Sequence, residues 1–249
     1  MSLEAVETSM PQAHAAGVAG HFRADMTPLV QAFSDNFTKR TELGASLFVS
    51  IEGKVIADLW GGQTAKDGPQ WGRDTICVIF SCTKTATALC LHLLAARGEV
   101  DLDAPVARYW PEFAAAGKQD VTLRMALDHS AGLPAIRAPL KSDCLTDWDY
   151  MVHHLEQEAP FWAPGSRVGY HALTFGFLVG EVVRRVSGRS LGQFFREEVA
   201  TPLGIDFAIG LPEADEPRVA PIEPFRAAKD APDTRFVTAA KERGSVANL

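Results

Sequence analysis

Alternation of apolar and polar residues near the start of the chain predicts a β-hairpin. Two stretches rich in β-branched and aromatic residues, "ASLFVSI" and "KVIADLWGG", are separated only by Glu52 and Gly53. A two-residue connection that contains glycine, which tolerates positive φ, is typical of an antiparallel hairpin. Upstream of the hairpin, Thr27 as an N-cap followed by Pro28 predicts the start of a short amphipathic helix. The apolar positions of that helix are Leu29, Val30, Phe33 and Phe37.

Apolar residues at helical spacing predict that the middle of the chain is helical. In "FSCTKTATALCLHLLAARGEV", which begins at Phe80, they recur once per turn until Gly98 ends the helix. Helical patterns continue to about residue 205 through "VTLRMALDHSAGLP", "WDYMVHHLEQE", "ALTFGFLVGEVVRRVSG" and "SLGQFFREEVATPLG", and no strand pattern interrupts them. The inward positions of the first helix are Ala86, Leu89, Cys90, Leu93 and Leu94.

These patterns divide the chain into three regions. Residues 1–75 hold the N-terminal helix and hairpin, and residues 76–205 form the helical region. Residues 206–249 contain the proline-rich, acidic stretch "LPEADEPRVAPIEPFRAAKDAPD", which is typical of a connecting loop.

A serine and a lysine lie three residues apart where the first long helix of the helical region begins. Residues at positions i and i+3 share a helix face, so the side chains of Ser81 and Lys84 can meet. A lysine acts as a base only if it loses its proton near neutral pH, and burial in the first turn of an apolar helix favours that loss. Serine is also a favoured N-cap residue, so the spacing alone leaves a catalytic pair and a helix cap both open.

A second serine competes for the role of nucleophile. "GRSLG", from Gly188 to Gly192, fits the GxSxG motif that places a serine on a sharp strand-to-helix turn. Here the motif follows a helical pattern rather than a strand. Ser190 with Gln193 three residues later is typical of a capping box, so we interpret Ser190 as a helix cap.

The segment around Ser81 resembles the serine β-lactamase and DD-peptidase superfamily. The similarity includes the SxxK motif, the phrase "GEVDLDAPVARYWPEF", the phrase "VTLRMALDHSAGLP" and the phrase "WAPGSRVGYHALTFGFLVGEVVRRVSG". It extends from about Val30 to Phe225, and several matched phrases together are more specific than one motif. The resemblance implies an α+β, β-lactamase/transpeptidase-like fold, with a helical region and a partial antiparallel sheet.

Tyr170 matches the tyrosine of the superfamily's second motif, which is YxN in the β-lactamases and peptidases. Here the motif is Tyr170-His171-Ala172, without the asparagine. That departure is similar to the family VIII carboxylesterases, which keep SxxK and the tyrosine. The resemblance therefore implies hydrolysis of a small-molecule ester without a cofactor. Hydrolysis of β-lactams or peptides, and a non-catalytic relative that only binds ligands, stay open as alternatives.

In the implied mechanism Ser81 attacks an ester carbonyl, Lys84 accepts its proton with help from Tyr170, and Tyr170 protonates the leaving alkoxide. Whether Lys84 or Tyr170 is the first base is open. His129 could be taken for a general base, but it lies in the matched "HSAGLP" phrase, which favours a structural role in a loop.

The superfamily's third motif, KTG or a relative such as HxG, has no match on a predicted strand. Arg243-Gly244-Ser245 is the nearest approach. We therefore expect this chain to correspond to the front portion of the family's domain and to lack flanking strands for the hairpin. Weak hydrolysis, an open substrate pocket, and poor stability or self-association through an exposed sheet edge are the expected consequences.

Charge and composition exclude several other functions. The formal net charge is −7 and no stripe of lysine and arginine is present, which argues against nucleic acid as a partner. The first thirty residues have neither a basic opening nor a long apolar run, and no stretch is typical of a membrane span, so the predicted location is the cytoplasm.

Neither the cysteines nor the clustered histidines predict a metal site. Cys77, Cys82, Cys90 and Cys144 form no CxxC motif and are expected to be reduced thiols in the core. His154 and Glu158 are four residues apart, but no third ligand at metal-binding spacing is evident. We interpret the cluster of His153, His154, Glu156 and Glu158 as one polar helix face.

Overall fold

The computed structural model describes residues 17–224, Met10, Thr234, Thr238 and residues 241–242. The segment Arg243-Gly244-Ser245 lies outside the described residues. The described chain forms two compact units. The first contains residues up to Val78 and a return segment from Pro212, and the second runs from Ile79 to Leu211.

The first unit contains a three-stranded antiparallel sheet. Its strands are β1 (Val18–Phe22), β2 (Gly44–Ile51) and β3 (Lys54–Gly62), in the order β1-β3-β2. The predicted hairpin is confirmed as β2 and β3. Its connecting residues, Glu52 and Gly53, have φ values of 51° and 72°, as the tight two-residue connection requires.

Strand β1 corrects the expectation that the hairpin has no flanking strand. It pairs with β3 along its whole length, so β3 is flanked on both sides, and β1 and β2 are the two edge strands of this sheet. The sequence pattern concealed β1 because Gly20 replaces an alternating side chain. A Cβ at Gly20 would lie 2.1 Å from the Asp58 carbonyl oxygen, so only glycine allows this approach. Phe48 on β2 is 58% exposed, and self-association through this edge stays a prediction.

Helix α1 (Thr27–Thr38) covers one face of the sheet. Val30 and Phe33 of the helix pack with Leu59 of β3 in a small apolar core. The prediction of Thr27 as the N-cap was wrong by one residue: Met26 is the cap, and Thr27 is the first helical residue. The Thr27 hydroxyl donates to the Ala24 carbonyl at 3.2 Å instead of capping the helix.

The return segment of the first unit is not only a loop. A 3-10 helix (Glu213–Arg218) leads into β5 (Val219–Ala220), which pairs in parallel with β4 (Ile76–Cys77). Arg218 anchors the segment by donating to the Asp74 carbonyl at 3.1 Å. The predicted connecting loop therefore contains a short strand that the proline-rich composition did not indicate.

The second unit consists of helices and loops, as the sequence pattern predicts. Its α-helices are α2 (Thr83–Ala96), α3 (Leu123–Leu127), α4 (Trp148–Gln157), α5 (Thr174–Ser187), α6 (Leu191–Phe195) and α7 (Thr201–Leu203). A π-helical turn (Arg196–Ala200) joins α6 to α7. The 3-10 segments are Phe80–Cys82, Val106–Arg108, Pro111–Gly117 and Cys144–Thr146.

Helices α2 and α5 pack at the centre of the second unit's core. Cys90, Leu91 and Leu94 of α2 are fully buried, and so are most residues of α5. Leu89, an expected inward position, is 41% exposed because Leu91 takes the buried face instead. Each of the two helices has 14 residues, and the described chain contains none that is long and apolar enough to cross a membrane.

The interpretation of Ser190 as a helix cap is confirmed. Its hydroxyl accepts from the Gln193 backbone N–H at 3.2 Å at the start of α6, and its backbone is extended. The capping box is only half formed, because the Gln193 side chain donates to Glu197 instead of returning to Ser190. Ser190 therefore stabilises a helix end.

The interpretation of His153, His154, Glu156 and Glu158 as one polar helix face needs correction. Glu156 and Glu158 are buried rather than part of a solvated face: Glu156 accepts from the Trp110 indole at 2.7 Å, and Glu158 accepts from the Arg137 backbone N–H at 2.7 Å.

The expectation that the four cysteines are reduced thiols in the core holds for two of them. All four cysteines are free thiols. Cys90 and Cys144 are buried as expected, whereas Cys77 and Cys82 are exposed.

A fully buried lysine ties α4 to the loop that follows it. The Lys118 ammonium donates to the carbonyls of Ala115 at 2.8 Å, Glu156 at 2.9 Å and Glu158 at 2.6 Å. Burial lowers the pKa of Lys118 to about 8, although the nearby carboxylates of Glu158 and Glu156 act in the opposite direction. The charged form therefore prevails at neutral pH and uses all three of its protons.

We expect Lys118→Met to destabilise the second unit by about 3 kcal/mol, because the buried carbonyls of Glu156 and Glu158 and the part-buried carbonyl of Ala115 lose their donor while the volume stays nearly filled. Chemical denaturation followed by circular dichroism measures this change. Lys141→Met is the matched control, since Lys141 is exposed and its ion pair with Asp147 contributes at most about 1 kcal/mol. Equal stability of the two variants would contradict the role given to Lys118.

Candidate active site

Ser81 lies in a 3-10 turn immediately before α2. The turn spans Phe80–Cys82, and Ser81 is exposed at its surface. Phe80 has a φ of 45°, a left-handed conformation that is strained for a bulky aromatic residue. Such strain is found where the surrounding structure holds a functional residue in place. It turns the chain sharply just before Ser81.

Lys84 meets Ser81 as the spacing of the two residues predicts. Its Nζ lies 3.1 Å from the Ser81 Oγ, within hydrogen-bond range. The same Nζ donates to the Ala172 carbonyl at 2.7 Å, although the two residues are 88 positions apart. The sequence pattern suggested that Lys84 is buried in the first turn of the helix, but its side chain is only half-buried.

Tyr170 completes a cluster of three side chains. Hydrogen bonds from Ser81 and then from Lys84 lower the pKa of the Tyr170 phenol, because both stabilise the phenolate. The Lys84 Nζ lies 4.8 Å from the centre of the tyrosine ring. Tyr170 is 54% exposed, so the cluster opens to solvent on one side. The structure therefore brings together Ser81, Lys84 and Tyr170.

The Ala172 carbonyl is a part of the site that sequence reasoning missed. Ala172 attracted attention only because its side chain cannot replace an asparagine. In the structure its backbone oxygen holds the Lys84 ammonium, a contact that any residue could provide at this position. A backbone acceptor leaves no signal in the residue type, so no motif could have revealed it.

His129 lies beside the cluster in a tight turn, in agreement with the structural role expected for it. Its φ of 66° is left-handed, and its ring centre is 4.9 Å from that of Tyr170. Burial, and then the positive charge of Lys84, lower the pKa of His129. The neutral imidazole is therefore favoured. The His129 ring and the His129 carbonyl both accept hydrogen bonds from backbone N–H groups of the segment that carries Tyr170.

The cluster contains the parts needed for nucleophilic catalysis. Ser81 supplies a hydroxyl, and Lys84 and Tyr170 supply groups that can accept and return a proton. The N–H groups at the start of a helix lack intrahelical partners and carry partial positive charge, so the turn at Ser81 offers a backbone donor to a developing oxyanion. This arrangement can perform acyl transfer.

Comparison with known proteins agrees with the geometry. The family model described as Beta-lactamase matches residues 22–246. The chain is 40% identical over 200 residues to the esterase/beta-lactamase LipL of Mycobacterium tuberculosis (strain ATCC 25618 / H37Rv). That match covers 78% of this chain and 46% of the relative. The chain thus spans about half the length of the curated relatives it matches.

Solved structures share the fold. A crystal structure of a family VIII carboxylesterase matches with a TM-score of 0.77 and 43% identity, covering 82% of this chain and 56% of that chain. A penicillin-binding protein homologue from Caulobacter crescentus matches with a TM-score of 0.81 and 37% identity, covering 92% of this chain and 62% of that chain. The expected β-lactamase/transpeptidase-like fold is confirmed, and the chain belongs to the Beta-lactamase family.

Proposed function

We propose that this protein is a serine hydrolase that cleaves small carboxylic esters through an acyl-enzyme on Ser81. The observation that carries the proposal is the contact of the Ser81 Oγ with the Lys84 Nζ at 3.1 Å, beside a tyrosine whose pKa is lowered by both groups. A helix cap would need neither contact. The family and the geometry together support this function over that of a serine that only begins a helix.

In the proposed reaction Ser81 attacks the ester carbonyl as its proton passes to the Tyr170 phenolate or to Lys84 as a neutral amine. The tetrahedral intermediate collapses, the bond to the alkoxide breaks, and Tyr170 returns the proton to the leaving alcohol. Water then attacks the acyl-enzyme with the same groups moving its proton, which regenerates Ser81 and releases the acid. Lys84 contributes positive charge that stabilises the phenolate between these steps.

Esters are proposed rather than β-lactams because of the segment after Tyr170. Ala172 offers no side-chain amide to a lactam substrate, and its carbonyl is occupied by Lys84. Among the relatives, LipL carries the name esterase/beta-lactamase, and one of the solved structures with this fold is called a family VIII carboxylesterase. We place the protein with the family VIII esterases and keep β-lactam hydrolysis as the second candidate.

We expect a fluorophosphonate to label Ser81 and not Ser190, because only Ser81 lies beside a lysine and a tyrosine that can accept its proton. Intact mass and peptide mapping locate the adduct. Ser190→Ala should retain full labelling, and Ser81→Ala should lose it. An adduct on Ser190 would replace the proposed nucleophile, and no adduct at all would favour a relative that only binds ligands.

We expect Tyr170→Phe to lower kcat for p-nitrophenyl acetate by about a hundred- to ten-thousandfold, the usual contribution of a proton-transfer group. Where the phenolate is the proton acceptor, the rate in the unaltered protein should rise with pH along a limb with a midpoint below the ordinary phenol value of 10.0. The substitution should abolish that limb in the pH profile of kcat. A limb that persists in Tyr170→Phe would assign the first proton transfer to Lys84.

We expect p-nitrophenyl acetate to be hydrolysed with a higher kcat/KM than the cephalosporin nitrocefin. Ala172→Asn is the matched variant, because it adds a side-chain amide while keeping the backbone carbonyl that holds Lys84. It should shift the ratio of the two kcat/KM values toward nitrocefin. A protein that turns over nitrocefin faster than the ester before any substitution is a β-lactamase, and the esterase proposal would then be wrong.

A further inference from the structure

Tyr170 lies on a segment that regular structure does not hold. Between the end of α4 at Gln157 and the start of α5 at Thr174 the chain forms only turns and loops. The tyrosine side chain itself is more than half exposed. A phenol that must stay within hydrogen-bond range of Ser81 and Lys84 therefore needs other contacts to fix its backbone.

The next residue, His171, is fully buried and bonded through both ring nitrogens. Its Nε2 accepts from the Leu133 backbone N–H at 2.9 Å, and its Nδ1 lies 2.5 Å from the Gly169 carbonyl. These two partners place the single ring proton on Nδ1, since a carbonyl can only accept and an N–H can only donate. Burial lowers the pKa of His171 to about 4, so the neutral form with this proton arrangement persists at neutral pH.

His129 holds the same segment from the other side. Its Nδ1 accepts from the His171 backbone N–H at 3.2 Å, and its carbonyl accepts from the Gly169 N–H at 3.0 Å. The His129 ring centre lies 4.9 Å from that of Tyr170 and 5.4 Å from that of His171. The residues on both sides of Tyr170 are thus bound to the turn that carries His129.

Packing alone does not explain a histidine at position 171. An apolar ring could fill the same space, whereas a buried imidazole is costly unless its nitrogens are bonded. Trp162 shows that packing in this region is already tight, because a Cβ on Gly169 would come within 2.3 Å of its ring. The two hydrogen bonds of His171 are specific for a neutral group that donates at one end and accepts at the other.

We propose that His171, supported by His129, is a positioning residue that fixes the Tyr170 phenol and the Ala172 carbonyl against Lys84. His171 is the residue between these two contacts of the lysine, so its attachment to Leu133 sets the place of both. Its consequence for catalysis rests on the proposed function. The positioning itself is a property of the folded chain and is measurable without any turnover.

Three substitutions of His171 distinguish the effect of losing the hydrogen bond to Leu133 from the effect of losing the volume of the ring. His171→Gln can present its amide oxygen where Nε2 lies and keep the bond to the Leu133 N–H. His171→Asn is shorter and keeps only the local contact with Gly169, and His171→Phe fills the space without any hydrogen bond. The control is Thr174→Val, which removes a buried 2.6 Å bond to the carbonyl of the same Leu133 but lies four residues beyond Tyr170.

The first measurement is the ultraviolet titration of Tyr170, obtained by subtracting the curve of the Tyr170→Phe counterpart of each variant. The chain has three tyrosines, so the difference isolates one phenol. His171→Asn and His171→Phe should raise the midpoint toward the ordinary phenol value as the bonds to Ser81 and Lys84 loosen. His171→Gln should stay close to the unaltered protein, and Thr174→Val should lower the melting temperature without moving the midpoint.

The second measurement is the rate of fluorophosphonate labelling at Ser81, together with kcat and KM for p-nitrophenyl acetate. His171→Asn and His171→Phe should slow labelling and lower kcat by roughly ten- to a hundredfold with KM nearly unchanged, because displacement of a reacting group by about 1 Å costs this much. His171→Gln should restore most of the rate. A chain that neither labels nor hydrolyses esters would refute the proposed function, while the tyrosine titration would still decide the positioning.

The inference is wrong if His171→Asn and His171→Phe fold and leave the Tyr170 midpoint unchanged, or if Thr174→Val moves the midpoint as far as they do. If these two variants do not fold, His129→Asn decides instead. Asparagine tolerates the left-handed backbone at this position, and the substitution removes the ring that contacts Tyr170. An unchanged midpoint in a folded His129→Asn would then overturn the proposal.

Discussion

The ammonium of Lys84 is the contact on which the rest of the candidate site depends. It joins the first turn of α2 to the segment that precedes α5 through bonds to the Ser81 Oγ and the Ala172 carbonyl. It also stabilises the ionised form of Tyr170. Because a single group touches all of these partners, a shift in either segment changes every distance at once. The site is therefore only as well ordered as the attachment of the segment from Gly169 to Ala172.

Neutral groups provide that attachment. His171 is buried with its pKa lowered to about 4, and the pKa of His129 is lowered by burial and then by the charge of Lys84. A protonated histidine here would place a second positive charge beside Lys84 and would remove the acceptor that each ring offers to a backbone N–H. Two neutral imidazoles thus fix the loop without competing for the anionic phenolate that Lys84 stabilises.

The sequence predicted those features that depend on local patterns. Helical spacing placed Ser81 beside Lys84, and the two-residue connection placed the hairpin, because both follow from backbone geometry over a few residues. Tyr170 required resemblance to a family, since its partners are far away in the chain. Strand β1 was missed because a glycine hides its alternation, and the roles of Ala172 and His171 were missed because they act through the backbone of distant residues.

The backbone and the side chain of Tyr170 lie in opposite environments, and this difference suits proton transfer. Its backbone is held by buried groups, whereas more than half of its side chain is open to solvent. A phenol in this position can exchange its proton with water directly, so the site needs no internal chain of proton carriers. In the proposed reaction, the same opening would give water access to the acyl group on Ser81. Exposure weakens each electrostatic interaction, because water screens charges far better than a protein interior does. The geometry compensates by keeping the lysine, the serine and the phenol within direct contact, where screening is least effective.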